Sequence, residues 1–209
     1  EEPAMHADSR AGNVAIKFNW SAYQWRVYLW GYYRLVEMLD AEVGRLLHAL
    51  DASGQADSTI VIFASDHGEG LGEQRMITKQ YLYDSASRVP LLVRWPGRTQ
   101  AGSEYRAPVS LLDIAPTIYD CLGLPAPEGT KGVSLRELIS GGAGPNRDFV
   151  TIQGHGGKGQ CIRSERFKYI AFRNDPVELL FDMENDPGES VNLAPLQAYR
   201  EALLQHRRL

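Results

Sequence analysis

A chain of 209 residues with a net charge of −4, of which 44% are hydrophobic and 23% charged, has the composition of a globular protein able to bury a core. Disorder and collagen-like repeats are excluded, and the longest apolar run, Thr59 to Ala64, falls far short of the roughly 20 residues of a membrane-spanning helix. Basic residues are scattered, apart from Arg207 and Arg208, which suit a helix terminus, so no nucleic-acid partner is expected.

Ser21 followed three positions later by Gln24 is a capping-box signature, and a helix is predicted to start there. Val36, Leu39, Val43, Leu46, Leu47 and Leu50 form one apolar stripe, which Gly54 ends; Gly31 is a candidate interruption. Thr59 to Ala64 is β-branched and continuous, as expected of a strand covered on both faces in a parallel sheet. A short helical stretch around Tyr81 to Ser87 and a strand at Leu91 to Val93 follow. Leu111 to Leu122 reads as a helix with Asp113 as N-cap, Pro116 in the first turn and Gly123 closing it. A helical turn near Leu135 to Ile139 leads into a glycine-rich linker, where we place a boundary dividing 1–144 from 145–209. Beyond it, Phe149 to Ile152, Gln160 to Arg163, Phe167 to Phe172 and Leu179 to Asp182 read as short strands, the middle pair forming a hairpin. Leu196, Tyr199 and Leu203 mark a last amphipathic helix. The fold class is therefore α/β, closed by a small antiparallel β subdomain with a helix.

Ser65 to Glu73, reading SDHGEGLGE, follows the apolar strand directly, where ligands bind in open α/β sheets. Asp66 and His67 side by side can ligate a divalent cation while Gly68, Gly70 and Gly72 let the backbone turn around it; the alternative is a capping aspartate beside an exposed imidazole. The turn from Gln153 to Gly159 could bring His155 and Lys158 to an anionic substrate or be a plain hairpin loop. Arg88 could contact substrate or pair with a surface carboxylate. The aromatic group from Trp20 to Tyr33 suits either a hydrophobic specificity pocket or packing in a core or an interface. His6, His48 and His206 read as surface residues, and Cys121 and Cys161 fit no disulfide or zinc spacing.

Thr59 to Gly72, Lys79, SRVPLLV from Ser87 to Val93 and LDIAPT from Leu112 to Thr117 together resemble the C-terminal half of a sulfatase of the alkaline-phosphatase superfamily. Ile162 to Ile170 and LFDMENDPGE from Leu180 to Glu189 are similar to that family's closing hairpin and the segment after it, so ordered motifs run from about Tyr32 to Ala194. The resemblance implies a partial alkaline-phosphatase-like mixed sheet flanked by helices. It also implies metal ligation by Asp66 and His67, contact of Lys79 with the sulfate or its leaving oxygen, and a sulfate ester or sulfated sugar as substrate. Calcium is the metal by resemblance, with magnesium or manganese as alternatives; an imidazole in place of the usual asparagine also suits manganese or zinc.

Family members also carry an upstream aspartate pair and a Cys-x-Pro-x-Arg or Ser-x-Pro-x-Arg motif whose first residue becomes the formylglycine nucleophile. Neither occurs here, since Cys121 is followed by LGLP and Cys161 by IRSE. The expectation is the C-terminal part of a longer sulfuric ester hydrolase, inactive alone and prone to associate, with a homo-oligomer as one outcome. Rival readings are a phosphonate monoester or phosphodiester hydrolase of the same superfamily, and a non-catalytic pseudoenzyme or binding module.

Overall fold

The computed structural model describes residues 2–4, 19–79 and 81–209, with His155 described by its backbone alone. His6 lies outside the described residues. Ser21 accepts from the Gln24 N–H while the Gln24 side chain accepts from the Ser21 N–H, and helix α1, Ala22–Ala52, starts on that reciprocal pair. Gly54, at φ 72°, ends it in the left-handed conformation. The break anticipated at Gly31 is absent, since one interior glycine costs only about 1 kcal/mol relative to alanine and the helix runs unbroken for 31 residues. The predicted stripe is present, yet no residue of α1 is buried, and Leu39 and Leu46 are 55% and 72% exposed.

Strand β1, Val61–Ala64, pairs with β2, Leu91–Arg94, with Val61 opposite Arg94 and Ala64 opposite Leu91. The pairing is antiparallel. This corrects the expectation of a parallel neighbour and full cover: β1 is only partly buried along its length, and its continuous apolar character did not encode strand direction. Helix α2, Asp84–Ser87, precedes β2.

A 3-10 turn, Leu111–Asp113, leads into α3, Ile114–Cys121. Asp113 does not cap α3 with its side chain. Ser110 is the cap, and Asp113 is its capping-box partner, accepting from the Ser110 N–H at 2.8 Å. The same fully buried carboxylate accepts from the Val133 N–H at 2.8 Å and from both terminal nitrogens of Arg147 at 2.8 and 2.9 Å. One buried charge so ties α3 to both ends of the linker that contains α4, Arg136–Ile139; a buried carboxylate persists only when its lone pairs are taken up in this way.

Strands β3, Phe149–Gly154, β4, Gly159–Ser164, β5, Phe167–Phe172, and β6, Leu179–Asp182, form a four-stranded antiparallel sheet in sequential order. The period-2 rule puts alternate side chains on opposite faces. Cys161, Ile170, Phe172, Leu179 and Phe181 pack with Met76, Leu82, Tyr83 and Ala86 on one side, so the larger core joins residues before and after position 144. Tyr169 and Leu180 face Leu193 and Leu203 on the other, the latter on α5, Arg200–His206. His206, expected at the surface, is 3% exposed: its Nδ1 lies 2.7 Å from the Ala202 carbonyl and its Nε2 2.9 Å from the Ser164 hydroxyl. Arg207 caps α5 and forms an ion pair with Glu178.

On β5, Lys168 occupies a core-facing position and its side chain is fully buried. Its Nζ donates to Asp84 Oδ1 and lies 2.7 Å from both that oxygen and Glu189 Oε1, with Ser87 Oγ at 3.4 Å. Glu189 Oε2 accepts from the Asp84 N–H, and burial pushes the Glu189 carboxyl upward against the pull of the ammonium. Removing the cation leaves two acids without compensation in a dry site. Lys168→Ala is expected to lower unfolding free energy by ~3–5 kcal/mol in urea titrations, and Lys168→Met/Glu189→Gln by clearly less than the sum of its single substitutions.

Asp182 accepts from the Arg166 guanidinium at 2.7 Å and from the Asn185 amide at 3.0 Å, bonds that hold its carboxyl down from 3.8 to about 2. A depressed native value contributes stability that is present above the unfolded value and lost as pH falls through the native one. The acid limb of the stability curve between about pH 4 and 2 should therefore flatten in Asp182→Asn, as read by urea midpoints across that range.

Candidate active site

The chain leaves β1 at Ala64 and turns at once. Ser65 Oγ donates to the His67 carbonyl at 2.8 Å, and Asp66 Oδ1 accepts from the His67 N–H at 3.0 Å, so a hydroxyl and a carboxylate fix the corner. His67 Nδ1 lies 2.8 Å from the Gly68 carbonyl. A carbonyl only accepts, so Nδ1 carries the proton and Nε2 keeps its lone pair in the neutral ring. Nε2 faces Asp66 Oδ2 at 3.4 Å, with the aspartate side chain 84% and the imidazole 34% exposed. Two lone pairs at that separation repel unless a proton or a cation lies between them. Among the described residues no group of three or more His, Cys, Asp and Glu converges on one point, so within this set the pair stands as two donors.

Asp66, His67, Lys79 and Arg88 all border one broad open groove, which Gly154 and Gly156 of the glycine-rich turn also line. Lys79 and Arg88 are exposed. The His155 side chain lies outside the described residues, and Lys158 is exposed in the turn.

The loop is stitched to its surroundings through its backbone. The Gly68 N–H donates to Ala86 O at 2.8 Å and that of Glu69 to Ser85 O at 2.9 Å, which docks the loop on α2. Gly70 N–H donates to Thr78 O at 2.8 Å and Gly72 N–H to Met76 O at 2.7 Å, closing the loop on itself. A Cβ on Gly68 would sit 2.1 Å from Ser85 O, and on Gly72, at φ 92°, 2.9 Å from the Trp25 ring. Trp25 packs against Trp20 and Tyr28 at ring separations of 5.2 and 6.0 Å, and the Tyr28 hydroxyl donates to Glu69 Oε1 at 2.8 Å. Part of the aromatic group therefore buttresses the loop, whereas Tyr23, Trp30 and Tyr33 are exposed. Burial, then the Glu69 bond, raises the Tyr28 hydroxyl above its ordinary value.

Sequence reasoning passed over Lys168 and the ties made by Glu69. A lysine two places before Ile170 and four before Phe172 on a strand was the available signal for the first; the partners of the second are far apart in sequence. Both cysteine thiols are held toward their protonated form by burial. Cys161 is fully buried and burial pushes its thiol up to about 12, while burial also raises Cys121; the thiolate is the reactive form.

The helices, strands and antiparallel closing sheet define a partial alkaline-phosphatase-like α/β fold. A family model described as Sulfatase matches residues 11–124, and one described as N-sulphoglucosamine sulphohydrolase, C-terminal, matches residues 72–208. The chain belongs to the sulfatase family. It is 30% identical over 201 residues to a Delta 4,5-hexuronate-2-O-sulfatase of Bacteroides thetaiotaomicron, covering 91% of this chain and 42% of the relative, and 35% identical to Arylsulfatase K of Bos taurus, covering 78% and 32%. Among solved structures, a 2-O GAG sulfatase superposes with TM-score 0.82 at 29% identity, over 90% of this chain and 43% of the other. A phosphonate monoester hydrolase of Agrobacterium radiobacter superposes with TM-score 0.75 at 32% identity, over 85% and 39%. A further neighbour, at TM-score 0.77 and 28% identity over 97% and 44%, was solved in complex with its substrate D-glucosamine-2-N,6-O-disulfate. The chain thus spans about two-fifths of the first of these curated relatives.

Because the atoms facing Gly68 are backbone and cannot swing away, Gly68→Ala is expected to cost on the order of 1–3 kcal/mol, measured as a lowered thermal midpoint, while the same change at the open Gly44 costs nothing comparable.

Proposed function

We propose that this chain supplies part of the active centre of a sulfuric ester hydrolase, with Asp66 and His67 as two ligands of a divalent cation and Lys79 as the ammonium that contacts the sulfate or its leaving oxygen. The observation carrying this reading is the donor pair itself. An acid oxygen and an imidazole lone pair face each other at 3.4 Å, at the carboxyl end of a strand, on a groove that Lys79 shares. One oxygen and one nitrogen donor fit a divalent cation chemically; calcium is favoured by family likeness, and the imidazole also suits manganese or zinc. A cation held there would neutralise charge on the ester oxygens.

His67 contributes through its tautomer: the Gly68 carbonyl holds the proton on Nδ1 and leaves the Nε2 lone pair, beside Asp66 Oδ2, to a cation. Lys79 contributes a positive charge where the leaving oxygen gains electrons as the S–O bond breaks. Arg88 and the glycine-rich turn at His155 border the same groove and are the candidates for contacts to the rest of the substrate. No residue of this chain fits the formylglycine motif, so no nucleophilic step is assigned to it. A sulfated sugar is the substrate class supported by the names of the hexuronate sulfatase and of the neighbour solved with a disulfated glucosamine.

A second reading, a phosphonate monoester hydrolase, is favoured by the Agrobacterium neighbour at 32% identity. In the full-length protein, Asp66→Ala and Lys79→Ala are each expected to lower kcat/KM for an aryl sulfate by about 10²- to 10³-fold, and a chelator to remove the unaltered protein's activity. The 209-residue chain alone should show no turnover. Faster hydrolysis of an aryl phosphonate ester than of the sulfate would shift the assignment to the second reading, and full activity in both variants would refute either.

A further inference from the structure

We propose that Glu69 is a positioning residue, whose carboxylate sets the placement of Lys79 relative to the Asp66–His67 pair. This deepens the function proposed above and rests on it for the role of Lys79. The geometry is specific. Glu69 follows His67 by two residues, and its Oε1 accepts both from the Tyr28 hydroxyl at 2.8 Å and from the Thr78 N–H. Thr78 immediately precedes Lys79. The Thr78 carbonyl is held as well, by the Gly70 N–H at 2.8 Å. One carboxylate oxygen, anchored to α1, therefore grips the peptide next to the lysine from the strand side of the loop.

The backbone shows that this grip opposes a local preference. Thr78 sits at φ 73°, in the left-handed region that a β-branched residue strongly disfavours. Among the described residues, seven other than glycine have positive φ, and four of them, Leu71, Gln74, Arg75 and Thr78, fall between positions 71 and 78. Strained conformations persist only where surrounding contacts over-determine them, and they gather at sites whose geometry matters. The two bonds on Thr78 are those contacts, and what they hold in place is the next residue, Lys79. The carboxylate carries no reacting atom in this role. It acts through Lys79 and through nothing else.

The test is a double-mutant cycle on the full-length protein with an aryl sulfate. Glu69→Ala is expected to lower kcat by on the order of 10²-fold, as misplacement of a catalytic group by an ångström does, with KM little changed. Glu69→Gln retains a carbonyl oxygen able to accept both bonds and is expected to restore most of that loss. Glu69→Ala/Lys79→Ala should be no slower than Lys79→Ala, because a residue acting only through the lysine has nothing left to act on. Fully additive losses, or a Gln variant as slow as the Ala variant, would overturn the proposal while leaving the proposed function standing. If Lys79→Ala is itself fully active, the role proposed for Lys79 fails, and amide hydrogen exchange then judges the tie. Exchange at Thr78 should rise in Glu69→Ala while exchange at Gly72, bonded to Met76, stays unchanged, and an unchanged Thr78 rate would overturn the tie.

Discussion

A buried ammonium is the constraint around which this chain is arranged. Lys168 is fully enclosed on β5, and a charge of that size cannot be taken from water unless opposite charge is brought to it. Asp84 and Glu189 answer that demand from opposite directions in the sequence, one on α2 and one in the turn after β6. Their approach draws α2 onto the closing sheet, where Leu82, Tyr83 and Ala86 join the core of β4, β5 and β6. The ion cluster specifies where α2 goes, and the apolar contacts around it supply the driving force.

From α2 the constraint passes to the loop that carries Asp66 and His67. Ser85 and Ala86 lend their carbonyls to the N–H groups of Glu69 and Gly68, so a displacement of α2 would move the corner carrying Asp66 and His67. On the far side, Trp25 and Tyr28 of α1 press against Gly72 and bind Glu69. The loop is gripped between a helix with no fully buried residue and a short helix clamped by a buried charge. Backbone strain is concentrated in this gripped stretch, as expected where contacts from several elements dictate conformation over local preference.

Asp66 and His67 illustrate how locally a corner can bring two donor atoms together. One backbone carbonyl fixes a tautomer, one backbone N–H orients a carboxylate, and two donor atoms meet at 3.4 Å in residues that border the groove. The geometry costs no buried desolvation because the aspartate remains open to solvent. Both donors come from consecutive residues, so their proximity is a property of the turn more than of the wider fold.

What is local was legible in the amino-acid order. The capping box at Ser21, the strands of the closing sheet, the adjacent Asp66 and His67 and the family motifs all depend on neighbours within a few positions, where spacing translates directly into geometry. Pairing direction was not legible, because the apolar run from Thr59 to Ala64 satisfies a parallel or an antiparallel partner equally. Nor were the roles of Asp113, Lys168, Glu69 and His206. Asp113 was assigned to a helix cap and His206 to the surface, Lys168 and the ties of Glu69 were passed over, and each took its role from partners brought close by packing, such as Arg147 for Asp113 and Ser164 for His206. Charge in water is indifferent to its distant neighbours; only burial makes a partner obligatory, and burial is decided by the tertiary structure.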